Sequence, residues 1–71
     1  MKVITIAYQG APYRFPFDNN TTFRDIKQLM CARLEGRAAI DTMTLDDDLG
    51  ELDDDAHVSS TAVCIILLSL R

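Results

Sequence analysis

The sequence has only two cysteines and one histidine, and each of these scarcities removes a class of protein. Cys31 and Cys64 sit far apart in apolar stretches. That spacing fits neither a zinc ligand set nor a dense disulfide framework, so both are expected as buried, reduced thiols. His57 stands beside an aspartate run with no second ligand at motif spacing, which argues against a metal centre. No nucleophile, base and orienting group recur in a pattern that would converge in a pocket. The expectation is therefore no catalytic residue, no cofactor, no metal and no enzyme activity. The longest apolar run, Ala62 to Leu68, falls far short of the roughly 20 residues that span a bilayer. The opening MKVITIAYQG alternates like a strand instead of presenting an apolar signal core. An intracellular chain, cytoplasmic or cytoskeleton-associated and without membrane contact, is expected.

What is present suits one small domain over residues 1–71, with 48% hydrophobic residues to build a core. A chain of this size buries only about 60% of its unfolded surface, so every element must contribute to one interior. The net charge of -4 is unevenly placed. Residues 1–40 carry Lys2, Arg14, Arg24, Lys27, Arg33 and Arg37 against Asp18, Asp25 and Glu35, a balance of +3. Residues 41–71 carry Asp41, Asp46, Asp47, Asp48, Glu51, Asp53, Asp54 and Asp55 against Arg71, a balance of -7. The acidic half would repel phosphate backbones, and the arginines lack the aromatic interleaving of single-strand binding, so nucleic acid is excluded as a partner.

Lys2 to Tyr8 is rich in β-branched and aromatic residues and predicts a strand. Gln9 to Pro12 predicts a hairpin turn. Beyond it, Tyr13, Phe15 and Phe17 alternate with Pro12, Arg14 and Pro16. The prolines lack the N–H that a central ladder needs, which predicts an edge strand with its aromatic face inward. Thr22, with Asp25 three residues on, predicts a helix N-cap. Phe23, Ile26, Leu29, Met30 and Leu34 recur at helical spacing, while Arg24, Lys27, Gln28 and Arg33 are assigned to other faces. Glu35 and Gly36 close the helix. Thr42 to Leu45 and Leu49 to Leu52 are candidate short strands, and Ala62 to Leu70 predicts a central strand.

These residues resemble ubiquitin over nearly the whole chain. The likeness rests on a first strand beginning at Met1, Gly10 in the hairpin, alternating Tyr13, Phe15 and Phe17, and the Thr21-Thr22 helix entry. Ile26-Lys27 within the helix and Gly50-Glu51-Leu52-Asp53-Asp54 before Val58 extend it. The resemblance implies an α+β, ubiquitin-like β-grasp fold, a mixed sheet of four to five strands wrapped on one helix. Arg71 is not followed by a Gly-Gly pair in this sequence, so conjugation as a modifier would need further sequence. The chain is expected to be the N-terminal domain of a longer protein. Thr44 stands where the family's main recognition patch has an isoleucine.

One helix covers one face of a sheet, so the other face should be polar. The first and last strands instead carry apolar side chains at both parities. Gap-free correspondence with ubiquitin places Val3 and Thr5 inside and leaves Ile4, Ile6, Tyr8, Cys64, Ile66 and Leu68 outside. A one-residue slip in the hairpin would reverse the first strand. The expected function is a non-catalytic interaction module, binding a protein partner, the rest of its own chain or a second copy through Ile4, Ile6, Tyr8, Ile66 and Leu68. The alternatives are head-to-tail electrostatic assembly, with Lys2 against Asp46, Asp47, Asp48, Asp53, Asp54 and Asp55, or a modifier. The Lys2 and acidic-stretch reading resembles the heteromerising Phox and Bem type of β-grasp domain. A calcium loop is excluded because the register of oxygen ligands, glycine and glutamate fails.

Overall fold

The computed structural model describes residues 2–60 and 65–70. Strands β1 (Lys2–Tyr8) and β2 (Ala11–Phe17) form the first hairpin. Its loop is Gln9 and Gly10, with φ of 51° and 79°. Two successive positive φ angles make a type I′ turn, whose twist suits the flanking strands.

Helix α1 (Phe23–Arg33) begins as the sequence predicts. The Thr22 hydroxyl accepts from the Asp25 amide at 3.4 Å, and the Asp25 carboxylate accepts from the Thr22 amide at 3.0 Å. Two amide donors that the first turn leaves open are thereby satisfied. Before the cap, the Asp18 carboxylate accepts from the Asn20 amide at 2.8 Å and from the Thr21 hydroxyl at 3.1 Å, bonds that hold its pKa below the ordinary 3.8. The helix ends at Leu34, followed by Glu35 and Gly36 at positive φ. Arg33 then reaches across to β2, its guanidinium 5.5 Å from the Tyr13 ring centre.

A 3-10 turn at Ile40–Thr42 leads into β3 (Met43–Asp47) and the two-residue β4 (Gly50–Glu51). A second 3-10 turn, Val58–Ser60, precedes β5 (Ile65–Leu70). The sheet order is β2-β1-β5-β3-β4, with β1 and β5 parallel and the other pairs antiparallel. β5 is thus central and β2 lies at an edge, both as expected. The first part of the predicted last strand, Ala62 to Cys64, lies outside the described residues.

The core contains Phe15 from β2, Phe23, Ile26 and Met30 from α1, Met43 and Leu45 from β3, and Val58. Ile4, Ile6, Ile66 and Leu68 belong to the same interior. The expected placement of these four on the open face is therefore corrected, and so is that of Tyr8, which is half-buried against the core. The cause is the two-residue loop. It pairs Tyr8 with Ala11, Ile6 with Tyr13 and Ile4 with Phe15. Residues directly opposite in an antiparallel pair share a face, so the inward aromatic row of β2 draws the even-numbered residues of β1 inward. β5 follows through the Ile6 and Ile66 pairing, and β3 through Leu45 opposite Leu68.

The helix carries two further corrections. Leu29, expected in the core stripe, is exposed, whereas Lys27, expected on an outer face, is only 4% exposed. At about 100° per residue, Leu29 falls roughly 105° from the centre of the Phe23, Ile26, Met30 and Leu34 stripe. Lys27 falls about 55° from that centre on the other side, roughly 20° beyond Leu34, and so borders the stripe. Cys31 is a free thiol, half-buried against the core instead of fully enclosed, and Cys64 lies outside the described residues.

Candidate interaction surface

The same registers that bury the even-numbered residues of β1 turn Val3, Thr5 and Ala7 outward. On β5 the outward residues are Ile65 and Leu67. Val3 is 49% exposed, Ile65 61% and Leu67 58%. Thr5 lies directly beside Ile65, and Ala7 beside Leu67. Across the other boundary Val3 faces Pro16 and Ala7 faces Pro12. The result is a continuous apolar strip over the two middle strands. Its three large side chains expose roughly 300 Å², near the size of the largest patch on an ordinary monomer. Thus the expected apolar outer face exists, but with the opposite set of residues.

The strip has charged flanks of opposite sign. On the β2 side Arg14 stands opposite Thr5, exposed to solvent. On the β3 side Asp46 stands opposite Leu67, and Glu51 of β4 stands opposite Asp46. Two like charges facing each other across neighbouring strands repel. On the outer face, Arg14 thus lies on one side of the strip and Asp46 with Glu51 on the other.

The edge of the sheet offers a poorer docking route. A two-residue loop makes Tyr8 and Ala11 a hydrogen-bonded pair, and alternation then places residues 12, 14 and 16 at positions whose amides would point away from β1. Two of those three positions are Pro12 and Pro16, which have no N–H to offer. An added strand would find Arg14 as the one outward donor between them, so the prolines blunt the edge. At the opposite edge, β4 has two residues.

The alternative acidic surface is partly committed within the fold. The ammonium of Lys27 meets the Asp54 carboxylate, and Arg24 pairs with Asp55 at 3.1 Å. The backbone joins in, since the Phe23 and Arg24 amides donate to the carbonyls of Ala56 and Asp54 at 3.1 and 3.0 Å. The Val58 amide donates to the Thr21 carbonyl at 2.8 Å. The segment 53–58 is thereby laced to the start of α1. Asp47 accepts from the Leu49 amide at 2.7 Å inside its turn. Asp48 and Asp53 are exposed, as is Lys2 at the far end of β1. A groove of about 660 Å³ lies beside Lys27, lined by Asp41, Glu51, Asp53, Asp54 and Asp55 together with apolar residues such as Ile40 and Leu52. Among the described residues no three or more His, Cys, Asp or Glu side chains gather as a metal site, and no helix is long and apolar enough to cross a membrane.

The sequence matches no protein-family model and no curated protein at a significant level. Solved structures do resemble it. A chain in the crystal structure of ATBAG1 in complex with HSP70 superposes with a TM-score of 0.84 at 15% identity, covering 99% of this chain and 40% of that one. This chain therefore spans about two fifths of that neighbour's length. A computationally designed protein based on human erythrocytic ubiquitin gives a TM-score of 0.81 at 16% identity, covering 100% of this chain and 92% of the design. The ubl5 domain from the polyubiquitin locus of T. thermophila gives 0.81 at 17% identity, covering 96% and 90%. One helix wrapped by a five-stranded mixed sheet in this order, superposing so closely on ubiquitin-derived structures, makes this a ubiquitin-like β-grasp fold.

Proposed function

We propose that this domain is a non-catalytic protein-interaction module that docks through the outer face of its sheet, with Val3, Ile65 and Leu67 at the centre. One observation carries the reading: three large apolar side chains on the two middle strands are between 49% and 61% exposed. Covering roughly 300 Å² of that strip would favour association by about 7 kcal/mol before the costs of association and ordering are set against it. The fold supports the reading in kind, since one structural neighbour was solved in complex with HSP70. That neighbour also carries the fold as 40% of its chain, which supports reading this domain as one part of a longer protein.

Site-specific photo-crosslinking in cells tests the proposal. A photoreactive residue at position 67 is expected to give a discrete protein adduct. The same residue at position 28, on the exposed side of α1, is expected to give none. Ile65→Asp, on an exposed site that tolerates charge, should abolish the adduct while leaving the fold intact. Adducts of equal yield from positions 67 and 28, or none from either, would contradict docking through this face.

A further inference from the structure

We infer that the occupant of this face is a second copy of the same chain, packed sheet against sheet about a two-fold axis that runs along the strands. This rests on the docking face proposed above and adds its partner and its geometry.

Two sheets that pack through their faces keep their strands within about 30° of each other, which leaves two arrangements for a symmetric pair. With the axis across the strands, β2 lies over β2 of the other copy and β3 over β3. Arg14 would then approach Arg14, and Asp46 would approach its own copy. With the axis along the strands, β2 of each copy lies over β3 of the other. Arg14 then meets Asp46 twice, once in each direction, while Ile65 and Leu67 meet near the axis. Only the second arrangement matches charge with opposite charge, and like-charge juxtaposition disfavours the first.

Three features of the face point to self-association. The apolar strip is continuous and lies on the middle strands, where a two-fold axis would pass. Arg14 and Asp46 flank it on opposite sides, and self-complementarity requires such an arrangement. Pro12 and Pro16 remove outward amides from the β2 edge, which turns association away from edge pairing and towards the face. The face of the four longer strands, at about 4.8 Å spacing over about 20 Å of strand, covers about 400 Å² per copy. That is near half of a standard interface. The pair should therefore be weak, with a dissociation constant from roughly tens of micromolar to millimolar, and separate on dilution.

Charge exchange tests the arrangement, because Arg14→Asp and Asp46→Arg should each repel themselves yet attract one another. Sedimentation equilibrium of the whole chain at physiological salt is expected to show reversible dimers for the natural sequence. For each variant alone, self-association should weaken at least about tenfold. An equimolar mixture of the two should return to within about threefold of the natural strength. Circular dichroism confirms that the variants are folded. Variants that associate undiminished, or a mixture that fails to recover, would overturn the arrangement. A natural chain that stays monomeric at millimolar concentration would overturn self-association itself. In that case a crosslinked adduct at position 67 of a mass other than the dimer's would still uphold the docking face. Dimers that survive Leu67→Asp would instead remove the docking face and this inference together.

Discussion

Ile66→Asp is expected to leave the chain unfolded at room temperature. Ile66 has no exposed surface and sits on the central strand, paired with Ile6 of β1. Removing a buried aliphatic side chain alone costs about 2–5 kcal/mol. The aspartate then adds either an unpaired buried charge or the cost of holding it protonated in an apolar interior. Domains of this size have a total stability of about 4–11 kcal/mol, so the two losses together consume most or all of it. The adjacent substitution Leu67→Asp changes the same strand one residue along, on a side chain that is 58% exposed. It should keep the fold, with a change within about 1 kcal/mol. Urea unfolding followed by circular dichroism separates the two. A folded Ile66→Asp protein, or a Leu67→Asp protein as damaged as Ile66→Asp, would contradict the face assignment.

The second large effect is expected at Asp54. Its carboxylate meets the Lys27 ammonium, whose side chain is 5% exposed while that of Asp54 is 37% exposed. The pair is asymmetric. Asp54→Ala strands a cation at the border of the helix stripe, and losing one partner of a buried pair costs about 3–5 kcal/mol. The partial exposure of Asp54 brings the expected loss below that range, to about 2–3 kcal/mol. Lys27→Met removes the buried cation, keeps similar volume and leaves Asp54 at the surface to be solvated. Its cost should stay below about 1.5 kcal/mol. The double variant should be no less stable than Asp54→Ala alone, since the stranded charge is gone. Denaturation midpoints of the three variants check this, and a Lys27→Met loss exceeding that of Asp54→Ala would count against the pair as described. The pair also ties the 53–58 segment to α1, so Asp54→Ala should speed amide exchange at Arg24, whose N–H donates to the Asp54 carbonyl.

Much of this architecture is written locally in the chain. Thr22 and Asp25 announce the helix start because the capping groups are three residues apart. The prolines at 12 and 16 announce an edge because they cannot serve a central ladder. The apolar run ending at Leu70 announces a central strand because both its faces demand cover. The faces of β1 and β5 are different, since each strand has apolar residues at both parities and neither composition nor periodicity chooses between them. The choice is made by the length of one turn. Gln9 and Gly10 both adopt positive φ, which closes the hairpin in two residues and sets Ile4 opposite Phe15. Residues equidistant from the turn share a face, so the inward aromatics of β2 could have fixed β1 from sequence once the loop length was settled. Correspondence with ubiquitin carried a different register into this hairpin and reversed the face. Lys27 was partly legible, because its angle on the helix borders the apolar stripe, beside Leu34. Its charge argued for the surface, and the compensating Asp54 is 27 residues away, beyond the reach of a local pattern. Leu29 is the converse case, an apolar residue whose angle already places it outside.

Methyl NMR of the natural chain during dilution from millimolar to low micromolar concentration is the most direct test of self-association through the outer face. The account predicts that resonances of Val3, Ile65 and Leu67 shift together along one binding curve while those of Ile4 and Ile66 hold still. Resonances of Val3, Ile65 and Leu67 that remain fixed over the whole range, or shifts that appear instead at Leu29 and Leu49, would contradict it.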